Sequence, residues 1–266
     1  MLRVGFAQLE PKIMEAETNL AGAEEAIASA RESNVDILVL PELANSGYVF
    51  ESGDEVEAMS EVIPDGPFSR ILQRGSSSGM MIVSGICERF GHVFSNSAAA
   101  FCDGEHAITY RKVHLFDREN HWFEAGDSKP PVFDYRDARF GLMVCFDWIF
   151  PEMARILAID GAQIILHPAN LVLPYCQEAM ITRSIENRVF TLTSNRVGLE
   201  RGIQFSGKSQ VTSPKGEVLV RANSSGTSID WVDIDLSLAD DKMITKRNHV
   251  LKDRKPEMYG RLIDPS

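Results

Sequence analysis

This sequence has few cysteines, no long apolar run and no excess of basic residues. Four of the 266 residues are cysteine, and none form the C-x-x-C pair that a structural zinc site commonly uses. No apolar run approaches the roughly 18 residues that a membrane-spanning helix needs, and the mean hydropathy is -0.12. We therefore predict a protein without a structural metal or a membrane anchor.

The deficit of positive charge limits the kinds of molecule that the protein can bind. The chain has 38 acidic residues against 27 Lys and Arg, which gives a formal net charge of -11. An acidic surface repels phosphate backbones, so we predict no nucleic-acid partner. The opening residues MLRVGFAQLEP alternate like a strand and lack the charged and apolar regions of a signal peptide. We expect a cytoplasmic protein with reduced thiols and no membrane partner.

Short apolar runs of β type alternate with segments of helical period. The predicted strands cover residues 2–9, 35–40, 80–87, 93–101, 106–110, 140–145, 163–166, 190–194 and 228–236. The predicted helices cover residues 15–32, 67–74, 151–159 and 177–188. This order favours one α/β domain over residues 1–266, in which helices cover sheets. Its charged, weakly periodic end forms a C-terminal arm at about 242–266.

Three polar residues follow the ends of apolar strands, where loops of α/β folds expose catalytic groups. Glu42 follows ILVLP, Lys112 follows HAITYR, and Cys145 follows FGLMV. Such a set would provide a sulfur nucleophile, an ammonium that lowers the thiol pKa and holds an oxyanion, and a carboxylate as general base. For each residue alone, a structural role is about as probable as a functional one. All three residues in this order are much less probable by chance.

The motifs that carry these residues resemble those of the nitrilase superfamily of carbon–nitrogen hydrolases. They are GFAQLEP, LVLPELANSGY, YRKVHLF, GLMVCFDWIFPEMAR, HPANL and RSIENRVFTLTSNRVG. The resemblance covers nearly the whole chain and implies a four-layer α-β-β-α sandwich. It also implies a Glu-Lys-Cys triad at Glu42, Lys112 and Cys145, with no metal or organic cofactor. A second glutamate usually follows the lysine, and Glu119 is favoured over Glu124 for this position.

The residues around the triad indicate what surrounds the substrate, and the resemblance indicates how chains assemble. The backbone N–H of Phe146 is expected to hold the oxyanion. Tyr48 and Trp148 are expected near the substrate, and Asn170 is expected to anchor a turn beside the nucleophile. Family members form dimers by packing helices on one face of the sandwich. We therefore expect a homo-oligomer, a dimer or higher, that uses the two helices following the nucleophile.

The residues after Cys145 narrow the choice between nitrilase, amidase and carbamoylase activities. True nitrilases usually resemble Cys-Trp-Glu, whereas Phe146-Asp147 resembles the amidase and carbamoylase branches. We predict an amidase that converts a small aliphatic or ω-amide to the acid and ammonia. The alternatives are an N-carbamoyl amine amidohydrolase, because WIFPE resembles the carbamoylputrescine branch, and a nitrilase. Two more remain open: a non-catalytic acyl-binding protein, and an unrelated Cys–His hydrolase that uses His114 or His167.

Overall fold

Two six-stranded sheets lie face to face at the centre of the protein. A computed structural model describes residues 1–264, so the last two residues of the predicted arm lie outside the described residues. In spatial order the first sheet contains β14 (Ser228–Ile234), β1 (Leu2–Gln8), β2 (Ile37–Val39), β3 (Met81–Phe90), β4 (Val93–Cys102) and β5 (Glu105–Arg111). The second contains β13 (Val218–Arg221), β12 (Gln210–Thr212), β9 (Phe190–Asn195), β8 (Ile164–Ala169), β7 (Ala138–Leu142) and β6 (Val132–Tyr135).

The three central strands of each sheet, β1–β3 and β7–β9, run parallel, and the outer strands join them antiparallel. Strands buried on both faces lose the apolar–polar alternation, which explains the continuous run ILV of β2. The smaller elements are α2 (Gly53–Met59), α4 (Glu119–Trp122), α7 (Ser237–Asp240), β10 (Leu199–Glu200), β11 (Ile203–Gln204), β15 (Met243–Thr245) and β16 (Asn248–His249).

Four longer helices cover the outer faces, and they are α1 (Ala16–Glu32), α3 (Pro67–Ser76), α5 (Pro151–Ile159) and α6 (Cys176–Asn187). Helices α1 and α3 pack on the first sheet, where Ile27 and Leu72 join the same core as Leu38. Helices α5 and α6 pack on the second sheet. The predicted four-layer α-β-β-α sandwich is therefore confirmed. The outer faces of α5 and α6 expose Ile159 and Ile185, while the homo-oligomer expected there stays a prediction.

Local sequence signals predicted the ends of some helices and strands well and the end of β7 poorly. Helix α5 spans residues 151–159 as expected, because proline suits the first turn of a helix. Asp103 and Gly104 both adopt positive φ in the β4–β5 hairpin, as a type I′ turn requires. The strand predicted over 140–145 instead ends at Leu142, because the chain turns into a short 3-10 helix at Cys145–Ile149.

The C-terminal segment after α7 contains the β15–β16 hairpin and two 3-10 turns, and most of its residues are exposed. Lys242 attaches its start to the body, because Nζ donates 2.8 Å to the carbonyl of Arg188 at the end of α6. The single-domain boundary and the arm remain predictions. Among residues 1–264, no helix is both long enough and apolar enough to cross a membrane.

Gly85 on β3 provides a test of how tightly the fold holds residues 42–44. A Cβ added there would lie 2.6 Å from the backbone nitrogen of Leu43 and closer still to Cα of Glu42. Gly85→Ala should therefore destabilise the protein by about 2 kcal/mol, a typical overpacking effect. Activity should fall as well, because Glu42 must move. Thermal unfolding and ammonia release would measure the two effects.

Gly22→Ala is the matched control, because a Cβ at this helical position meets nothing within 4 Å. Alanine has the higher helix propensity, so this variant should be more stable by up to about 1 kcal/mol with unchanged activity. Equal thermal midpoints for Gly85→Ala and the unmodified protein would show that residues 42–44 can move aside without a loss of stability.

Candidate active site

A buried lysine lies between two buried glutamates at the end of β5. Lys112 Nζ is 2.8 Å from Oε1 of Glu42 and 2.8 Å from both carboxylate oxygens of Glu119. A buried ammonium is very unfavourable unless it is paired, so both carboxylates are needed to hold it there. Burial alone would lower the pKa of Lys112, but the charges of Glu119 and Glu42 outweigh it and raise that pKa. The lysine is therefore a permanent cation.

Glu42 uses its two carboxylate oxygens differently. Oε1 accepts from Lys112 and from Nδ2 of Asn96 at 2.7 Å. Oε2 is buried and has no hydrogen-bond partner within residues 1–264. The backbone is held as well, because Asn170 Nδ2 donates 2.9 Å to the carbonyl of Glu42. One oxygen thus anchors the carboxylate, and the other is available to take a proton.

Cys145 lies at the point where the second sheet meets these residues. It begins the 3-10 helix with φ 40, in the left-handed region that non-glycine residues rarely adopt. Such backbone strain persists only where surrounding contacts impose it, and it clusters at functional sites. The imidazole of His167 donates from Nε2 to the carbonyl of Cys145 at 2.9 Å. Asp147 Oδ2 accepts from the N–H of Val144 at 2.9 Å, on the other side of the same turn.

The thiol of Cys145 is held neutral by its surroundings. Burial raises the pKa of Cys145, the charges of Glu42 and Glu119 raise it further, and Lys112 and the backbone N–H of Asn170 oppose them less strongly. The ammonium of Lys112 lowers this pKa as expected, but burial and two carboxylates outweigh it. A thiol in this state needs a base beside it before it can attack.

Glu119, rather than Glu124, is the second glutamate of the site. Glu119 is buried in α4, and Oε1 accepts 2.7 Å from the hydroxyl of Tyr48 in addition to its bonds with Lys112. Burial raises the pKa of Glu119, and the charge of Lys112 opposes this. Glu124 is exposed. The structure thus decides between the two assignments that the sequence left open.

Two neighbouring spaces that share part of their lining lie at the site. A cleft of about 20 Å³ over Cys145 is lined by Phe146, Trp148 and Asn170 among others. A cavity of about 300 Å³ extends from Tyr48 and Glu119. Phe116 and Val172 line both spaces. A larger cavity, of about 420 Å³, lies against α1 outside the first sheet and contains none of these residues. Size therefore does not identify the site, whereas the chemistry of its lining does.

Comparison with known proteins assigns the family. Residues 3–242 match the carbon-nitrogen hydrolase family. The chain belongs to the carbon-nitrogen hydrolase family. A nitrilase of Pyrococcus abyssi is 43% identical over 262 residues, which cover 98% of this chain and 100% of that protein. An (R)-stereoselective amidase of a Pseudomonas species is 30% identical over 264 residues, covering 97% of this chain and 93% of that protein.

Comparison with a solved structure supports the same family assignment. The crystal structure of an amidase from a Nesterenkonia species superposes with a TM-score of 0.83 at 26% identity, covering 98% of this chain and 96% of that one. The family and its solved members make this chain a carbon–nitrogen hydrolase of the nitrilase superfamily, an enzyme.

Neither histidine of the Cys–His alternative hydrogen-bonds the thiol within residues 1–264. His167 contacts the Cys145 carbonyl and Thr193 Oγ1, at 3.0 Å from Nδ1. His114 Nδ1 lies 2.8 Å from Oδ1 of Asp147, and its ring stacks on Phe150 with centroids 3.8 Å apart. Both histidines therefore support the turn that carries the nucleophile, and this carbon–nitrogen hydrolase is not built as a Cys–His pair.

Sequence analysis missed several residues that hold the site. Asn96 lies within β4, where nothing in its local pattern indicates a contact with Glu42. Glu200 is separated from Tyr48 by 152 positions, yet Oε2 accepts from the N–H of Tyr48 at 2.9 Å and of Val49 at 2.8 Å. Arg196 pairs with the same carboxylate at 3.2 Å. The motif SNRVG contains Arg196, but it says nothing about this partner.

The Glu200 anchor can be tested by mutation. Glu200→Gln removes the charge that balances buried Arg196 and places an amide donor toward the N–H groups of Tyr48 and Val49. Breaking a buried ion pair in this way should destabilise the protein by about 3 kcal/mol. Activity should fall because Tyr48 no longer fixes Glu119. Urea unfolding and steady-state kinetics would measure both effects.

The control is Glu55→Gln, which removes an ion pair between Glu55 and Arg201 at 2.7 Å. This pair keeps some contact with solvent, with exposed side-chain fractions of 26% and 20%, so the loss should be smaller, about 1 kcal/mol, with unchanged kinetics. If the two variants behaved alike, Glu200 would not anchor the site.

His167 predicts how stability responds to acid. Burial lowers the pKa of His167 from 6.5 to about 4. Between these values the unfolded chain binds a proton that the folded chain does not, so stability falls as pH drops. This residue should account for a loss of about 3 kcal/mol by pH 4. His167→Gln keeps a donor for the Cys145 carbonyl and should show a shallower loss in urea unfolding. Parallel pH profiles of the two proteins would contradict this.

Proposed function

We propose that this carbon–nitrogen hydrolase is an amidase that converts a short aliphatic or ω-amide to the carboxylic acid and ammonia through a thioester on Cys145. One observation carries the proposal: a neutral buried thiol on a strained turn shares a site with a paired lysine and with a glutamate whose Oε2 has no partner within residues 1–264. These groups are a nucleophile, a cation and a base, as acyl transfer requires.

The first half of the reaction forms the thioester. Glu42 Oε2 takes the proton of Cys145 as sulfur attacks the carbonyl carbon. The ammonium of Lys112 and the backbone N–H of Phe146 hold the oxyanion, and losing one such donor typically slows a reaction by about a hundredfold or more. Glu42, now protonated, gives its proton to the departing nitrogen. The carbon–nitrogen bond breaks and ammonia leaves.

The second half releases the acid. Glu42 takes a proton from a water molecule, which attacks the thioester carbon, and the proton then returns to sulfur as the carbon–sulfur bond breaks. Glu119 is not the base in this scheme, because its oxygens already accept from Lys112 and Tyr48. Its role is to keep Lys112 charged and in position.

Several observations support an amide substrate. The cleft over Cys145 is small and lined by Phe146 and Trp148, which suits a short acyl group. One solved form of the Nesterenkonia amidase carries acrylamide added at its active-site cysteine. The similarity to the nitrilase of Pyrococcus abyssi supports nitrile hydrolysis as the second candidate. Nitriles would react at the same sulfur but need a first water before any ammonia leaves.

The test is a panel of propionamide, glutaramate, propionitrile and an N-carbamoyl amine, scored for ammonia release. We expect ammonia and acid in equal amounts from the amides and no reaction with the nitrile. Carbon dioxide release from the carbamoyl amine would indicate the carbamoylase alternative. Mass spectrometry of enzyme quenched during turnover should show the acyl group on Cys145. Ammonia from the nitrile alone would overturn the proposal.

Matched variants complete the test. Glu42→Gln should lower kcat by roughly a hundredfold to ten-thousandfold, the usual contribution of a general base. Cys145→Ala should fold and be inactive. Cys102→Ser is the control, because Cys102 is a half-buried thiol outside the site and should be dispensable. An acyl adduct on Cys102, Cys87 or Cys176 would contradict the assignment.

A further inference from the structure

The cavity beside the catalytic centre has two opposite charges at consecutive positions. Asp117 and Arg118 both line the 300 Å³ cavity, directly before Glu119 in the chain. Both are exposed, and neither side chain has a hydrogen-bond or ion-pair partner within residues 1–264. Arg201, by contrast, is occupied by Glu55 at 2.7 Å. The cavity therefore contains a guanidinium and a carboxylate that no other described residue neutralises.

The rest of the lining differs in character. Apart from Tyr48 and Glu119, which belong to the centre, the remaining residues are apolar, with Phe50, Trp122 and Phe123 among them. A volume of about 300 Å³ is at the lower end of the range for small-molecule sites. The cavity thus combines an apolar wall suited to methylene groups with a pair of charges suited to a polar head group.

We propose that Asp117 and Arg118 form a subsite for a zwitterionic head group, so that the substrate is an α-amino acid with a side-chain amide. The guanidinium of Arg118 would hold the α-carboxylate in the two-bond geometry that arginine favours. The carboxylate of Asp117 would accept from the α-ammonium. Both charges of an α-amino acid lie on one carbon, so complementary charges on adjacent residues match them.

In the proposal, the lining that the two spaces share guides the amide from the cavity to sulfur. Phe116 and Val172 line the cavity and also the cleft over Cys145. A side chain of a few methylenes would lie along this shared apolar wall, with the amide in the cleft and the head group at Asp117 and Arg118. The inference rests on the proposed amidase function and adds the substrate class.

The charge of the whole protein favours a zwitterion over a simple anion. With a formal net charge of -11, the protein repels anions at long range. A zwitterion has no net charge to be repelled, yet it gains both local contacts. A substrate with only a carboxylate would use Arg118 and leave Asp117 as a repulsive neighbour.

The experiment compares kcat/KM for L-glutamine, glutaramate and butyramide, which share an amide but differ in head group. The unmodified enzyme should prefer L-glutamine. Arg118→Gln should lower kcat/KM for L-glutamine and for glutaramate by roughly three- to tenfold through KM, as expected for a solvent-exposed charged contact. Asp117→Asn should lower it only for L-glutamine. Neither variant should change butyramide hydrolysis.

The control is Arg70→Gln, which removes an exposed arginine from α3 on the outer face of the first sheet. Equal losses on all three amides would show a structural role for Asp117 and Arg118 and overturn the inference. Hydrolysis of butyramide without a preference for L-glutamine would overturn it while leaving the amidase function intact. If no amide were hydrolysed, both the function and the inference would fall.

Discussion

The ammonium of Lys112, buried between two carboxylates, is the interaction on which the rest of the site depends. Its contacts of 2.8 Å with Glu42 and Glu119 are the condition under which a charged group can exist at this depth. Removing one partner of a buried ion pair typically lowers the free energy of unfolding by about 3–5 kcal/mol. A substitution at Glu42, Lys112 or Glu119 therefore affects the other two residues. Asn96 and Tyr48 extend the same network, since Asn96 donates to both glutamates and Tyr48 donates to Glu119.

The same carboxylates that raise the pKa of Lys112 also raise the pKa of Cys145. Two carboxylates and burial raise the pKa of Cys145, so the resting site holds a thiol and not a thiolate. Under the proposed mechanism, a base must therefore act at the moment of attack. In that mechanism the base is Glu42, whose Oε2 has no hydrogen-bond partner within residues 1–264. A resting thiol is also less open to oxidation, since the thiolate is the reactive form.

The two sheets contribute different parts of the site. The first supplies Glu42 and Lys112 at the ends of β2 and β5, and the second supplies Cys145 beyond β7. Face-to-face packing of the sheets therefore assembles the centre. Family membership explains why this framework is shared by proteins that hydrolyse different carbon–nitrogen bonds. Substrate choice belongs instead to the loops around the cleft and the neighbouring cavity.

Sequence by itself determined the family, the layered α/β class, the strand-end positions of Glu42, Lys112 and Cys145, and elements such as α5, because these depend on local periodicity, turn chemistry and motif order. Only the tertiary structure decided between Glu119 and Glu124, ended β7 before Cys145, and set the net direction of the Cys145 pKa, which burial and two carboxylates raise although Lys112 lowers it. These outcomes depend on burial and on contacts between residues far apart in the chain. Glu200 and Tyr48, 152 positions apart, show why no local pattern contains them.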